Sequence, residues 1–135
     1  MINSRNENAP GNDGLLKPFT LAARIASIRF AFNGLRRFFR EEHNAWVHLL
    51  ATLVVVFLAW WLEATRLECI ALAICTGMVW MAEIFNTSIE RIMDHLSPGR
   101  SNKVKYIKDL AAAAVLVASI VSAVSAFIIF IPKFF

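Results

Sequence analysis

Leu110–Ile131 reads LAAAAVLVASIVSAVSAFIIFI, 22 residues without a charge. At about 1.5 Å of rise per residue, a helix of that length reaches about 33 Å and crosses a hydrocarbon core of about 30 Å. A core helix of a water-soluble protein is rarely so long and so uniformly apolar. The whole chain agrees with a membrane setting: 58% of its 135 residues are hydrophobic and 18% are charged, an unusual balance for a small soluble protein.

Upstream, two further segments read as membrane spans. One covers about residues 45–62, with an uncharged centre at Leu49–Leu62 and with Trp46, Trp60 and Trp61 placed as interface anchors. The next covers about residues 68–93, of which Cys69–Ala82 carries no charge. Ser97–Pro98–Gly99 predicts its end, because proline and glycine together break a helix. The third span is about residues 110–131, followed by Pro132 and Lys133. Residues 19–40 alternate differently. Leu21, Ile25, Ile28, Phe32, Leu35, Phe38 and Phe39 recur mostly every three or four positions, with Arg24, Arg36, Arg37 and Arg40 among them. That pattern predicts an amphipathic helix lying in the interface. Residues 1–18, with Pro10, Gly11, Gly14 and Pro18, read as a disordered tail without the apolar core of a signal peptide. The expected fold is therefore an all-α integral membrane protein, with an N-terminal amphipathic surface helix and three transmembrane helices in one domain over residues 19–135.

Cations orient these spans. Six Lys or Arg lie from Lys17 to Arg40 and five more from Arg91 to Lys108, whereas the connection near residues 63–68 offers Arg66 beside Glu63 and Glu68. The positive-inside rule puts the N-terminus and the second connection in the cytoplasm and the C-terminus on the opposite side. The net charge of +4 is thus a membrane-topology signal. Nucleic acid is not expected as a partner, since no zinc finger, basic heptad array or aromatic RNA-binding motif accompanies it. Cys69 and Cys75 lie six residues apart on an apolar helix and read as small hydrophobes.

The second span ends in Glu83–Ile–Phe–Asn86–Thr87–Ser–Ile–Glu90–Arg–Ile–Met–Asp94. Glu83, Asn86, Thr87, Glu90 and Asp94 fall on one helical stripe. Ionisable residues at membrane depth are costly and point to function. Glu83 and Glu90 stand two turns apart, about 10 Å along the axis, so they serve different tasks. Glu83, deepest in the apolar half, suits a proton acceptor. Glu90 suits Mg2+, and Glu42 in the Arg40–Asn44 cluster is placed to complete that site through tertiary packing. Lys108 and Asp109 stand at the entry of the third span, where a cation meets polyphosphate and a carboxylate orients a ribose, base or metal. No Walker A or glycine-rich kinase loop is present, so an ATP site would be built from helix side chains. Interhelical glue, an ion pathway, a carrier and a non-catalytic scaffold account for the same charges with different chemistry.

The Glu83…Asn86…Glu90…Asp94 motif, Phe32–Asn33–Gly34–Leu35–Arg36, Glu42–His43–Asn44 and Lys108–Asp109 before an alanine-rich helix together resemble the small prokaryotic diacylglycerol kinase family over residues 20–131. The alanine run after Asp109 and the terminal Phe130–Ile–Pro–Lys133 are more similar to its undecaprenol kinase branch. The resemblance implies a bacterial cytoplasmic-membrane enzyme, homotrimeric with shared active sites, that transfers the γ-phosphoryl group of ATP to a membrane lipid alcohol. It implies Glu83 as catalytic base, Asn86 as its active-site amide in contact with substrate, and Glu42 and Glu90 as the ligands of Mg2+. Asp94, Lys108 and Asp109 match nucleotide-contacting positions. Arg24 and Arg29 match the family's functional arginine only loosely. Undecaprenol is slightly favoured over diacylglycerol as acceptor.

Overall fold

The computed structural model describes residues 20–99 and 101–135. The expected tail at 1–18 lies outside them. Four helices follow in order: α1 (Leu21–Glu41), α2 (His43–Trp61), α3 (Arg66–Leu96) and α4 (Asn102–Phe130), with a closing 3-10 turn at Ile131–Lys133. No strand occurs among the described residues. Three helical stretches, His43–Trp61, Arg66–Leu96 and Asn102–Lys133, are long and apolar enough to cross a membrane. The helix α4 starts eight residues before the apolar run, because Lys103 to Asp109 continue the same helix outside it. Hydropathy marks where lipid begins, not where the helix begins. The 31 residues of α3 reach about 46 Å, well beyond a hydrocarbon core of about 30 Å. That surplus length is what lets one helix carry both an apolar half and an acidic half.

The chain divides into two compact units that meet after Arg36. The first contains the described residues up to Arg36. Here Thr20 Oγ1 accepts from the Ala23 amide at 3.2 Å and starts the helix. Leu21, Ile25, Ile28 and Phe32 stand 58–78% exposed along it, the apolar stripe expected of an interfacial helix.

The second unit, Arg37–Phe135, holds the membrane-spanning helices. Glu42 alone leaves helical geometry between α1 and α2, with φ −109° and ψ 115°. Trp46 Nε1 closes this corner by donating to the Phe39 carbonyl at 3.0 Å, and the Phe39 ring meets those of Trp46 and Trp80. Glu63, at φ 49°, supplies the left-handed residue that reverses the chain between α2 and α3. Thr65 then caps α3 in a reciprocal box: its hydroxyl accepts from the Glu68 amide, and the Glu68 carboxylate accepts from the Thr65 amide at 2.7 Å. Lys133 reaches the same carboxylate at 3.0 Å, and Phe134 packs edge-on against Trp61.

Two seams run along α3. Against α2, Trp80 Nε1 donates to Thr52 Oγ1 at 3.0 Å, and that hydroxyl donates to the His48 carbonyl at 2.7 Å. Ala45, fully buried, shares the His48 face of α2 three residues away. Against α4, which packs most extensively on α3, Cys75 Sγ lies 3.5 Å from Ser125 Oγ; both cysteines are free thiols. The buried apolar set is small: Phe38, Ala45, Leu72, Val79, Ala111 and Phe130. Most apolar side chains face outward, as lipid-facing helices require.

Candidate functional site

Buried polar side chains collect at one level of α3. Glu83, Asn86 and Thr87 are 3%, 7% and 7% exposed. They share a face because they follow each other by three and one along a 3.6-residue helix. Farther along, Glu90 is half-buried and Asp94 exposed. The stripe foreseen from spacing is therefore a gradient from a buried carboxylate to a solvated one. From Glu83 to Asp94 it runs about 16 Å along the axis.

Each carboxylate meets a different partner. Glu83 Oε2 lies 3.7 Å from His48 Nε2 on α2, an ion-pair distance too long for a hydrogen bond. Asn86 Nδ2 donates to Glu90 Oε1 at 3.3 Å, one turn on. The Asn86 Oδ1 atom is buried with no hydrogen-bond partner. Such an orphan acceptor is costly to maintain and marks a place where a ligand is expected. Asp94 receives Lys108 Nζ on both oxygens, at 2.9 and 3.1 Å.

Arg91 closes the water-facing end. Its guanidinium reaches Glu41 at 2.6 Å and Glu42 at 2.8 Å, while Arg37 holds the other Glu41 oxygen at 2.6 Å. Arg37 first, and Arg91 second, hold the Glu41 carboxyl below its ordinary pKa of 4.5. These groups are partly exposed, so each pair contributes little to stability; their effect is to pin the α1–α2 corner to α3.

Set against the expected site, the structure joins Asn86 to Glu90 and Lys108 to Asp94. It places Glu42 on Arg91. Asp109 turns away from that cluster to Lys105, at 2.5 Å, because neighbours on a helix point about 100° apart. Two partners escaped the sequence reading: His48 against Glu83, and Arg91 between Glu41 and Glu42. A signal for the first existed. His48 and Thr52 are four apart on α2, and Trp80 and Glu83 three apart on α3, so antiparallel packing of the two helices pairs them.

Among the described residues no cluster of three or more His, Cys, Asp or Glu is placed to hold a metal. The donors present still suit Mg2+. They are hard oxygens, the orphan Asn86 Oδ1 beside Glu90 is an acceptor in want of a cation or donor, and Mg2+ is commonly held by one or two carboxylates together with substrate phosphates.

The sequence profile of prokaryotic diacylglycerol kinase matches residues 29–130. An undecaprenol kinase from Bacillus subtilis is 30% identical over 94 residues, covering 70% of this chain and 76% of the relative. A diacylglycerol kinase from Synechocystis sp. is 30% identical over 102 residues, 74% of this chain and 58% of that longer protein. The diacylglycerol kinase of Escherichia coli is 28% identical over 101 residues, 75% of this chain and 83% of its own length. With helices able to cross a membrane and a match over most of its length, the chain belongs to the prokaryotic diacylglycerol kinase family and is a membrane lipid kinase, a phosphotransferase with ATP as co-substrate and an alcohol as acceptor.

Proposed function

We propose that the chain phosphorylates undecaprenol, with Glu83 as the base that takes the proton from the lipid hydroxyl. The observation that carries this reading is the gradient along α3. A carboxylate 3% exposed stands where an alcohol on an apolar body arrives, and Glu90 and Asp94 stand where a water-borne nucleotide arrives. The lipid oxygen attacks the γ-phosphorus as Glu83 accepts its proton. Asn86, which donates to Glu90, orients the acceptor. Lys108, carried by Asp94, and Asp109 contact the nucleotide. Glu90 and Glu42 would hold Mg2+, Glu42 after leaving Arg91. When bound, that ion supplies charge neutralisation at the β- and γ-phosphate oxygens, where positioning and electrostatics are the main catalytic levers.

Undecaprenol is preferred over diacylglycerol on the alanine-rich start of α4 and the Phe130–Lys133 terminus, and the Bacillus undecaprenol kinase among the relatives supports it. The diacylglycerol kinases among them support the second reading, formation of phosphatidic acid. One integral-membrane domain over 19–135 belongs to the proposal. So does a cytoplasmic-membrane location, with the N-terminus and acidic site on the cytoplasmic side and the C-terminus opposite, in accord with the cation distribution. A homotrimer with shared sites is the proposed assembly, and the small buried core of the single chain leaves ample apolar surface for other copies and lipid. The test is purified protein in mixed micelles with Mg-ATP and either lipid alcohol. Preferential product from undecaprenol, lost in Glu83→Gln, is expected; preferential phosphatidic acid would overturn the substrate assignment, and no product with either lipid would overturn the catalytic one.

A further inference from the structure

A base that is 3% exposed creates a second chemical requirement. Once Glu83 has taken the lipid proton it is a neutral carboxylic acid, and it must lose that proton before the next turnover. Bulk water scarcely touches it. His48 on α2 is a basic side chain within ion-pair reach of Glu83, with Nε2 3.7 Å from Oε2. Its side chain is 18% exposed against 3% for Glu83, so of the two it is the one in contact with the surroundings.

The imidazole is also held in place. The edge of its ring meets Trp80, with centroids 6.2 Å apart. Its own backbone carbonyl takes the Thr52 hydroxyl, which in turn accepts from Trp80 Nε1. Trp80 lies one turn before Glu83 on the same face of α3. The network that fixes the α2–α3 crossing therefore fixes the separation of His48 and Glu83. His48 also lies only about 8 Å along α2 from the first residue of that helix, so the path to interfacial water is short. An imidazole can take a proton at one ring nitrogen and release it again.

We infer that His48 acts through Glu83 as the positioning residue that receives its proton and returns it to interfacial water. This rests on Glu83 being the base. The lipid O–H bond breaks as its oxygen bonds to the γ-phosphorus, and the bond from that phosphorus to the bridging oxygen of ADP breaks. The proton moves to Glu83, then to Nε2 of His48, then to water, leaving Glu83 ionised for the next cycle. From α3 the titratable group that faces His48 is Glu83 itself.

The experiment measures lipid phosphorylation in micelles across pH for wild type, His48→Gln, His48→Ala and Glu83→Gln. His48→Gln keeps a polar side chain of similar reach and cannot take a proton. Its kcat is expected to fall by roughly tenfold to a hundredfold, with the KM for Mg-ATP nearly unchanged and the acid limb of the kcat profile altered. Added imidazole is expected to restore His48→Ala in proportion to its free-base form. Wild-type kcat and pH profile in His48→Gln would overturn the relay while leaving the base assignment intact if Glu83→Gln is inactive. Full activity in Glu83→Gln would remove both. If His48→Gln does not fold, the imidazole response of His48→Ala decides, and no rescue there overturns the relay.

Discussion

The two ends of α3 are both polar and have opposite characters. At the Thr65 end the polar groups are paired with one another: a reciprocal capping box and Lys133 on the Glu68 carboxylate at 3.0 Å, with Phe134 against Trp61. At the Glu83 end, one buried carboxylate meets a histidine at 3.7 Å, beyond hydrogen-bond distance, and the buried Asn86 Oδ1 has no hydrogen-bond partner. Satisfied polar groups close a fold. Unsatisfied buried ones raise its energy and persist where a ligand completes them. One helix thus separates the two characters by length: its first turn fastens the turn and the C-terminus together, and its last four turns carry the acidic stripe.

The sharpest way to break this comparison is Glu83→Gln. We expect kcat to fall by about a hundredfold or more, with no loss of thermal stability in detergent, because the amide fills the same buried space as the carboxylate. Near-normal phosphorylation would make the buried acid a packing residue like those at the other end. Next in size, Glu90→Gln should raise the Mg2+ concentration for half-maximal activity by roughly tenfold, and chelation of Mg2+ should silence the wild type reversibly. An unchanged Mg2+ dependence in that variant would detach Glu90 from the metal.

The opposite end predicts the opposite phenotype. Thr65→Ala removes the cap and should lower stability by about 1 kcal/mol, read as a lower unfolding temperature, while the kcat of the folded fraction stays at the wild-type level. A fall in kcat without a fall in stability would join the two ends functionally. The smallest effect concerns Glu41. Arg37, then Arg91, depresses its pKa below 4.5, so its pairing stabilises the folded chain above the ordinary carboxylate range and is lost as pH falls through the depressed value. The unfolding temperature of wild type should drop on acidification below about pH 4.5, and Glu41→Gln should show a shallower drop; equal slopes would leave the corner pairing without a part in acid stability.

Much of this architecture is legible in one dimension. The uncharged run at Leu110–Ile131, the tryptophans bracketing α2 and the breakers at Ser97–Gly99 report directly on transfer between water and lipid, a property each segment carries by itself. The acidic stripe is legible for the same reason, since helical periodicity alone puts Glu83, Asn86, Thr87, Glu90 and Asp94 on one face. Pairings across helices are not legible in that way. Glu42 was expected beside Glu90 through tertiary packing and by family resemblance, and here it lies on Arg91; Lys108 and Asp109 were grouped as neighbours, and of the two Lys108 reaches Asp94. Those outcomes depend on how far each helix is rotated about its axis, and a rotation of one residue, about 100°, exchanges one partner for another.

The sequence by itself thus determined a helical membrane protein with an acidic stripe at the edge of its second span, because hydropathy and helical period are local. Only the tertiary structure decided that Glu83 is buried against His48, that Asn86 keeps an unpaired oxygen beside Glu90 and that Arg91 holds Glu42. The antiparallel register of α2, α3 and α4 sets those distances, and it follows from side-chain packing along whole helix faces, which no single segment contains.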